Sequence, residues 1–534
     1  MNFPSIDQIP AKYRLNEPVF QRDYLVNGEL LSWDGPFQEV FSPVCIVDPR
    51  GNTTPFLIGQ YPLMTANESR LALDAAVKAF DHGRGYWPTL SVEKRIAHLE
   101  DFTFLMKEQR ATVINLLMWE IGKSYNDSAK EFDRTVEYIR DTIEAVKELD
   151  RNSSRFQIEQ GIIGQVRRSP LGVALCMGPY NYPLNETFTT LIPALVMGNT
   201  VIFKPPKYGV LLHHPLLKAF RDAFPPGVVN TVYGHGSSVV GPLMESGLID
   251  VLAFIGTSRV ASMLKKQHPK PHRLRSILGL EAKNPAIILA DADLELAVNE
   301  CLLGSLSFNG QRCTALKIIF VHESIARDFN NRMVEGLNKM QQGMPWEENV
   351  QITPLPEAGK TGYLKELVDD AILKGASMIN PAGGQVSYTF FSPALLYPVN
   401  NKMKVWHEEQ FGPVVPIVPF KNIEEPLEYV TSSNYGQQIS IFGKNADDIS
   451  HLIDPLVNQV CRLNINSQCQ RGPDSFPFTG RKDSAEGTLS VSDALRVFSI
   501  RSLVAAKSTE LNKQIITAIV KEDKSNFLST DFIF

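Results

Sequence analysis

Nothing in this sequence is spaced to hold zinc or to build a disulfide framework. Its six cysteines (Cys45, Cys176, Cys301, Cys313, Cys461, Cys469) include no CxxC pair, and such sparse use fits a reducing compartment. No apolar run approaches the ~20 residues that span a bilayer. Residues 1–14 carry an acidic residue, Asp7, and prolines where a signal peptide needs a basic start and an apolar stretch. The cytoplasm is therefore the expected location, with no membrane partner. A net charge of −5 supplies no basic field for nucleic acid, so an anionic ligand has to be gripped by local arginines and lysines. GxGxxG loops, internal repeats and low-complexity stretches are also missing. What remains is an ordinary globular composition, 43% hydrophobic and 21% charged over 534 residues. That length exceeds what one core serves, which predicts two or three domains.

Three helical patterns follow an extended opening. Thr65-Ala66-Asn67-Glu68 reads as a capping box. Val92, Ile96, Leu99, Phe102 and Leu105 recur at intervals of three and four, as do Phe132, Val136, Ile139, Ile143 and Val146. Arg134 lies off that last stripe and reads, by itself, as a solvated charge. From about Gly172 short apolar runs alternate with helices. The predicted strands are 173–177, 200–203, 228–232 and 251–255, and the predicted helices 187–197, 211–224, 237–245 and 259–266. Repeated βα units predict a parallel sheet covered on both faces, with ligands beyond the carboxyl ends of its strands. A second α/β region runs from about Asp291 to Phe478, with strands expected at 317–321 and 414–419. Residues from Ser508 onward are polar and mixed, and the pattern assigns them no role.

Four short segments carry chemistry. Cys313 lies in Phe308-Asn309-Gly310-Gln311-Arg312-Cys313-Thr314-Ala315, beside a guanidinium that would favour its thiolate. The strand ending at Phe203 runs into Lys204-Pro205-Pro206-Lys207, two lysines placed for ribose hydroxyls or a phosphate. Gly256-Thr257-Ser258 opens a helix, where free N–H groups and the positive dipole end suit a pyrophosphate. Asn181, in Met177-Gly178-Pro179-Tyr180-Asn181-Tyr182-Pro183-Leu184-Asn185, offers an amide to an oxyanion. Each alone reads as well as a packed cysteine, loop lysines, a helix cap or a turn asparagine. Their order in one chain is what makes them informative.

That order resembles the aldehyde dehydrogenase superfamily from about Val26 to Lys507, including Glu408-Glu409-Gln410-Phe411-Gly412-Pro413. Within it the chain is most similar to the non-phosphorylating, NADP-dependent glyceraldehyde-3-phosphate dehydrogenases, through Arg134-Thr135, Tyr182, Arg312, Gln470-Arg471-Gly472 and Phe476-Pro477-Phe478. The resemblance implies an α/β fold. A Rossmann-type cofactor domain would take residues 1–146 and 176–290, and an α/β catalytic domain 291–480. A small β oligomerisation element would take 147–175 and 481–507, leaving 508–534 as an extension of unknown role. It also implies a homo-oligomer, dimer or tetramer, and no metal. Cys313 would attack the aldehyde and pass through a thiohemiacetal and a thioester, with the oxyanion on Asn181 and the Cys313 N–H. Lys204 and Glu409 would hold the ribose hydroxyls, with Phe411 from the same motif. Lys207 would favour NADP, with NAD as the alternative. Arg134, Tyr182, Arg312, Thr314 and Arg471 would bind the phosphorylated aldehyde, since guanidinium forks match phosphate oxygens.

One departure concerns the chemistry. The family's general base is a glutamate in Leu-Glu-Leu-Gly-Gly-Lys, and here the run is Leu278-Gly279-Leu280-Glu281-Ala282-Lys283. Gly279 stands in the glutamate's place, and Glu281 is the candidate base two residues on. Two other expectations follow from Gly279: an acyl transfer to coenzyme A, or a deacylation-impaired or catalytically silent homologue. Ala261, where the family has a second glycine, is a smaller difference.

Overall fold

The structure, a computed structural model, describes residues 2–533. Five short apolar runs form its first layer: β1 (Val173–Met177), β2 (Thr200–Lys204), β3 (Val229–Thr231), β4 (Val251–Ile255) and β5 (Arg275–Gly279). They are mostly buried, as strands covered on both faces must be. They pair in parallel in the order β3-β2-β1-β4-β5. The order reverses between β1 and β4, where a doubly wound sheet opens a crevice at its strand ends. The loops leaving these two strands carry Asn181 and Gly256-Thr257-Ser258.

A second sheet uses β6 (Pro285–Ile288), β7 (Ile318–His322), β8 (Ala394–Tyr397), β9 (Val414–Phe420), β10 (Gln438–Phe442) and β11 (Arg462–Ile465). Its order is β8-β9-β7-β6-β10-β11, all parallel, with Ser377–Met378 antiparallel at the β8 edge. Cys313 lies on the approach to β7, the inner strand beside β6. A strap late in the chain, residues 481–486, reaches both sheets: Arg481–Lys482 pairs antiparallel with Tyr435–Gly436, just before β10. Ala485–Glu486 adds antiparallel to β5, pairing Ala485 with Gly279, and Leu280 donates its N–H to the Ser484 carbonyl at 2.9 Å.

The third sheet pairs Ser499–Lys507 antiparallel with Ile162–Pro170, and Gln157–Glu159 takes the other edge. It is narrower than the oligomerisation element expected from sequence. Residues 147–153 finish the long helix α1 (Tyr125–Ser153), Val173 already belongs to β1, and 481–498 hold the strap on β5 and the helix Val491–Val497.

Three helices position the site: α1, α2 (Asn185–Val196), which follows β1, and α3 (Ser258–Gln267), which follows β4. The capping box at Thr65 is present, with Glu68 accepting the Thr65 N–H at 2.8 Å. The single helix expected at 211–224 is instead a 3₁₀ turn, Leu211–Leu216, and a short helix, Leu217–Ala223. Pro215 has no N–H for an α-helical bond. The tail forms α4 (Glu510–Lys521), capped by Thr509, and then returns to the body. There Gln165 Nε2 donates to the Ser529 carbonyl at 2.6 Å, and Asn526 Nδ2 to the Thr89 carbonyl at 2.8 Å. Among the described residues no helix is long and apolar enough to cross a membrane.

Candidate active site

The loop leaving β1 is packed so closely that its first residue has to be glycine: a Cβ on Gly178 would fall 1.9 Å from Thr187 Oγ1. Glu131 and Lys123, both fully buried, form an ion pair beneath this loop. Glu131 Oε1 accepts the N–H groups of Leu184 and Asn185 at 3.0 and 3.1 Å, and Lys123 Nζ donates to the Asn181 carbonyl at 2.8 Å. The same ammonium lies 3.7 Å from the Tyr182 ring centroid and 4.2 Å from that of Phe308. These contacts aim Asn181 inward, where its Nδ2 donates to the Gln311 carbonyl at 2.8 Å. Gln311 stands two residues before Cys313, so the predicted amide and nucleophile are brought together.

The segment leading to Cys313 is strained. Phe308 and Asn309 hold φ of 49° and 56°, unusual for residues with a Cβ. The Asn309 side chain spans to Thr353, accepting its N–H at 2.9 Å and donating to its hydroxyl at 3.1 Å. The Cys313 carbonyl accepts Asn284 Nδ2 at 2.8 Å and Lys317 Nζ at 3.0 Å. Thr314 is buried next to it.

The electrostatics differ from the sequence reading. Burial pushes the Cys313 thiol above the ordinary cysteine range; Glu186 pushes it further, while Lys317 and Arg471 pull it down. The cations that act on the sulfur are thus Lys317 and Arg471. Arg312, expected to do so, turns away: its Nη2 donates to the Gly304 carbonyl at 2.9 Å and to Gln468 Oε1 at 3.2 Å.

Two buried ion pairs flank the thiol. Lys317 pairs with Glu409, whose Oε1 also accepts the Ala282 N–H at 3.2 Å. Arg471 pairs with Glu186, lies 3.2 Å from Asp474 and donates to the Leu489 carbonyl at 3.2 Å. Asp474 in turn takes Arg134 as a two-point partner at 2.8 and 3.1 Å. Arg134 is therefore no solvated charge. It and Arg471, two of the three expected phosphate arginines, meet across Asp474, and Arg312 stands apart. Sequence reasoning missed Glu186, Lys317 and Asp474. Their only signals were a carboxylate five residues after Asn181, a lysine four after Cys313 and an aspartate three after Arg471.

The crevice between β1 and β4 fits a dinucleotide, with one internal competitor. Lys204, at the end of β2, has the Pro205 carbonyl, at 3.1 Å, as its only partner among the described residues. Burial lowers its pKa to about 8, so an acceptor such as a ribose hydroxyl is well matched to it. Lys207 is exposed beside it, its ammonium 5.3 Å from the Tyr208 ring centroid. Phe411 presents its ring edge-on to Tyr180 with centroids 5.9 Å apart. At the start of α3 the Thr257 hydroxyl caps Val260. The Ser258 N–H, which suits an anion, is already taken: Glu281 Oε2 accepts it at 2.8 Å, with Oε1 at 3.4 Å from the Ser258 hydroxyl. This corrects the expectation for Glu281. Its carboxylate caps a helix, and the carboxylates that act on the sulfur are Glu186 and Glu409.

Known proteins share this plan. The profile of the aldehyde dehydrogenase family matches residues 44–503. An NADP-dependent glyceraldehyde-3-phosphate dehydrogenase of Streptococcus equinus is 32% identical over 461 residues, 85% of this chain and 92% of that protein. One of Apium graveolens is 29% identical over 500 residues, 91% and 96% of the two chains. The crystal structure of the NADP-dependent glyceraldehyde-3-phosphate dehydrogenase from Bacillus halodurans C-125, complexed with NADP, superimposes with a TM-score of 0.83 at 30% identity, over 92% of this chain and all of that one. With a thiol and an amide gathered at the switch point of such a fold, and a match over most of its length, the chain belongs to the aldehyde dehydrogenase family.

Proposed function

We propose that the protein oxidises glyceraldehyde 3-phosphate to 3-phosphoglycerate with NADP and without inorganic phosphate. The observation that carries this reading is the placement of Cys313 beside Asn181 on one side and the Arg471–Glu186 pair, continued by Asp474 and Arg134, on the other. Cys313 as thiolate bonds to the aldehyde carbon, and the carbonyl electrons move onto oxygen. Asn181 Nδ2 and the Cys313 N–H stabilise that oxyanion. The dinucleotide supplies the acceptor for the hydride that leaves the same carbon. Hydrolysis of the thioester then frees the thiol and the acid. Arg471 and Arg134, with Tyr182 and Thr314, serve the phosphate, which competes with Glu186 and Asp474 for the guanidinium groups; Arg312 would have to leave Gly304 and Gln468 to join them. Lys204 and Glu409 serve the ribose hydroxyls, and the exposed Lys207 favours a 2′-phosphate. The apolar residues Ile158, Ile162, Ile500 and Leu503, exposed on the third sheet, support a homo-oligomer. The cytoplasm suits the sparse, unpaired cysteines.

Purified protein is expected to reduce NADP with glyceraldehyde 3-phosphate in phosphate-free buffer. No reduction by folded protein overturns the reading. Gly279, together with the helix-bound position of Glu281, favours a second reading in which the acyl group passes to coenzyme A. Turnover that strictly requires an added thiol would select it.

A further inference from the structure

Hydrolysis of a thioester needs a group that takes a proton from water, and Gly279 cannot provide one. Glu281 is held at the start of α3 by Ser258. Glu409 is held by Lys317 and the Ala282 N–H. Glu131 is consumed by Lys123 and two N–H groups of the β1 loop, and Asp474 lies between two arginines. Glu186 differs from all of these. It sits in the first turn of α2, one turn beyond Tyr182, whose carbonyl accepts the Glu186 N–H at 3.1 Å. It is 7% exposed. Its Oε2 meets Arg471, while its Oε1 has no hydrogen-bond partner among the described residues. Of all carboxylates it acts most strongly on the Cys313 thiol.

We propose that Glu186 is the general base of thioester hydrolysis, in place of the glutamate that position 279 lacks. The inference rests on the function proposed above and names the residue that completes it. Water gives a proton to Glu186 Oε1 as its oxygen bonds to the thioester carbon. The carbonyl electrons move onto the oxygen held by Asn181. When they return, the C–S bond breaks, its electron pair stays on the Cys313 sulfur, and the acid departs. The proton on Glu186 then passes to solvent. Arg471 fixes the orientation of Glu186. Because Arg471 also serves the substrate phosphate, an arriving phosphate shares that guanidinium and loosens its hold on the carboxylate.

The test is stopped-flow formation of NADPH by the full chain with NADP and glyceraldehyde 3-phosphate. Wild type is expected to show a burst equal to the enzyme concentration, then steady turnover. Glu186→Gln is expected to keep the burst amplitude while steady turnover falls ~10²–10⁴-fold. Hydroxylamine, a nucleophile that needs no base, is expected to restore turnover in that variant. Unchanged steady turnover in Glu186→Gln overturns the proposal, as does an equal loss of burst and turnover, which marks a structural role. Should that variant fail to fold by circular dichroism, Glu186→Met, which also lacks the carboxylate, is read by the same criteria. Absence of any NADP reduction by folded wild type overturns the proposed function itself, so the two failures are distinguishable.

Discussion

Ser258 has one N–H to give at the head of α3, and Glu281 holds it. A carboxylate at a helix N-terminus gains from the dipole, and a diphosphate would gain from the same place. The two anions therefore compete, and each loses when the other binds. Glu281→Gln keeps an oxygen for the N–H and removes the charge. It is expected to tighten NADP binding by about tenfold, ~1.4 kcal/mol, in a fluorescence titration that needs no substrate. Unchanged affinity would show that the carboxylate leaves the helix without cost. Single residues were unevenly legible in the sequence. Cys313, Asn181 and Lys204 stand in short motifs whose neighbours reveal them. Glu186, Lys317 and Asp474 acquire meaning only from partners far along the chain: Arg471 lies 285 positions beyond Glu186. The direction in which Arg312 points depends on the carbonyl groups of a preceding helix, which no local pattern records.

Elements were easier to foresee than side-chain directions, because period and caps are local. β1 and β4 appear as the apolar runs predicted them, and the capping box at Thr65 opens its helix as expected. The helix interrupted at Pro215 shows where a side chain overrules periodicity. That 3₁₀ turn also contributes to the site. His213 is buried within it, and its Nε2, protonated in the neutral ring, donates to the Pro183 carbonyl at 3.1 Å in the loop carrying Asn181. Burial lowers the His213 pKa to about 3. Its folded-state pKa is thus depressed below the unfolded value near 6.5. The neutral ring's contribution to stability is complete above about pH 6.5 and is lost as pH falls toward 3, by roughly 4–5 kcal/mol in all. Thermal melts between pH 7 and pH 4 are expected to show a steeper decline for wild type than for His213→Gln. Parallel curves would remove His213 as a source of acid sensitivity.

For the whole molecule, the alternation of strands and helices gave the doubly wound sheet and its crevice, since βα units pair in few ways. The boundaries of the sheet formed by residues 157–170 and 499–507 were not legible, because the segments around it belong to a long helix and to a strap that reaches β5. The role of the tail was also hidden, for its polar composition shows no destination. In the structure, residues 525–527 help close a cavity of about 660 Å³ against Arg95, Asp150 and Arg167, and Ser529 bonds to Gln165. A chain ending at Lys507 loses these contacts and uncovers more of that solvent-open pocket. Its Tm is expected to fall by a few degrees in scanning calorimetry while the NADPH burst amplitude stays constant. An unchanged Tm would show that the tail lies on the body without stabilising it.

The pairing of Ala485 with Gly279, and of Ser484 with Leu280, has a bearing on how a nucleotide enters and leaves. Residues 481–486 pair with β5 on one side and with Tyr435–Gly436, just before β10, on the other, a stitch that keeps the two sheets from spreading apart there without tearing backbone bonds. Exchange then falls to the lighter part of the wall, the first turn of α3, whose internal anion must step aside at each arrival and return at each departure.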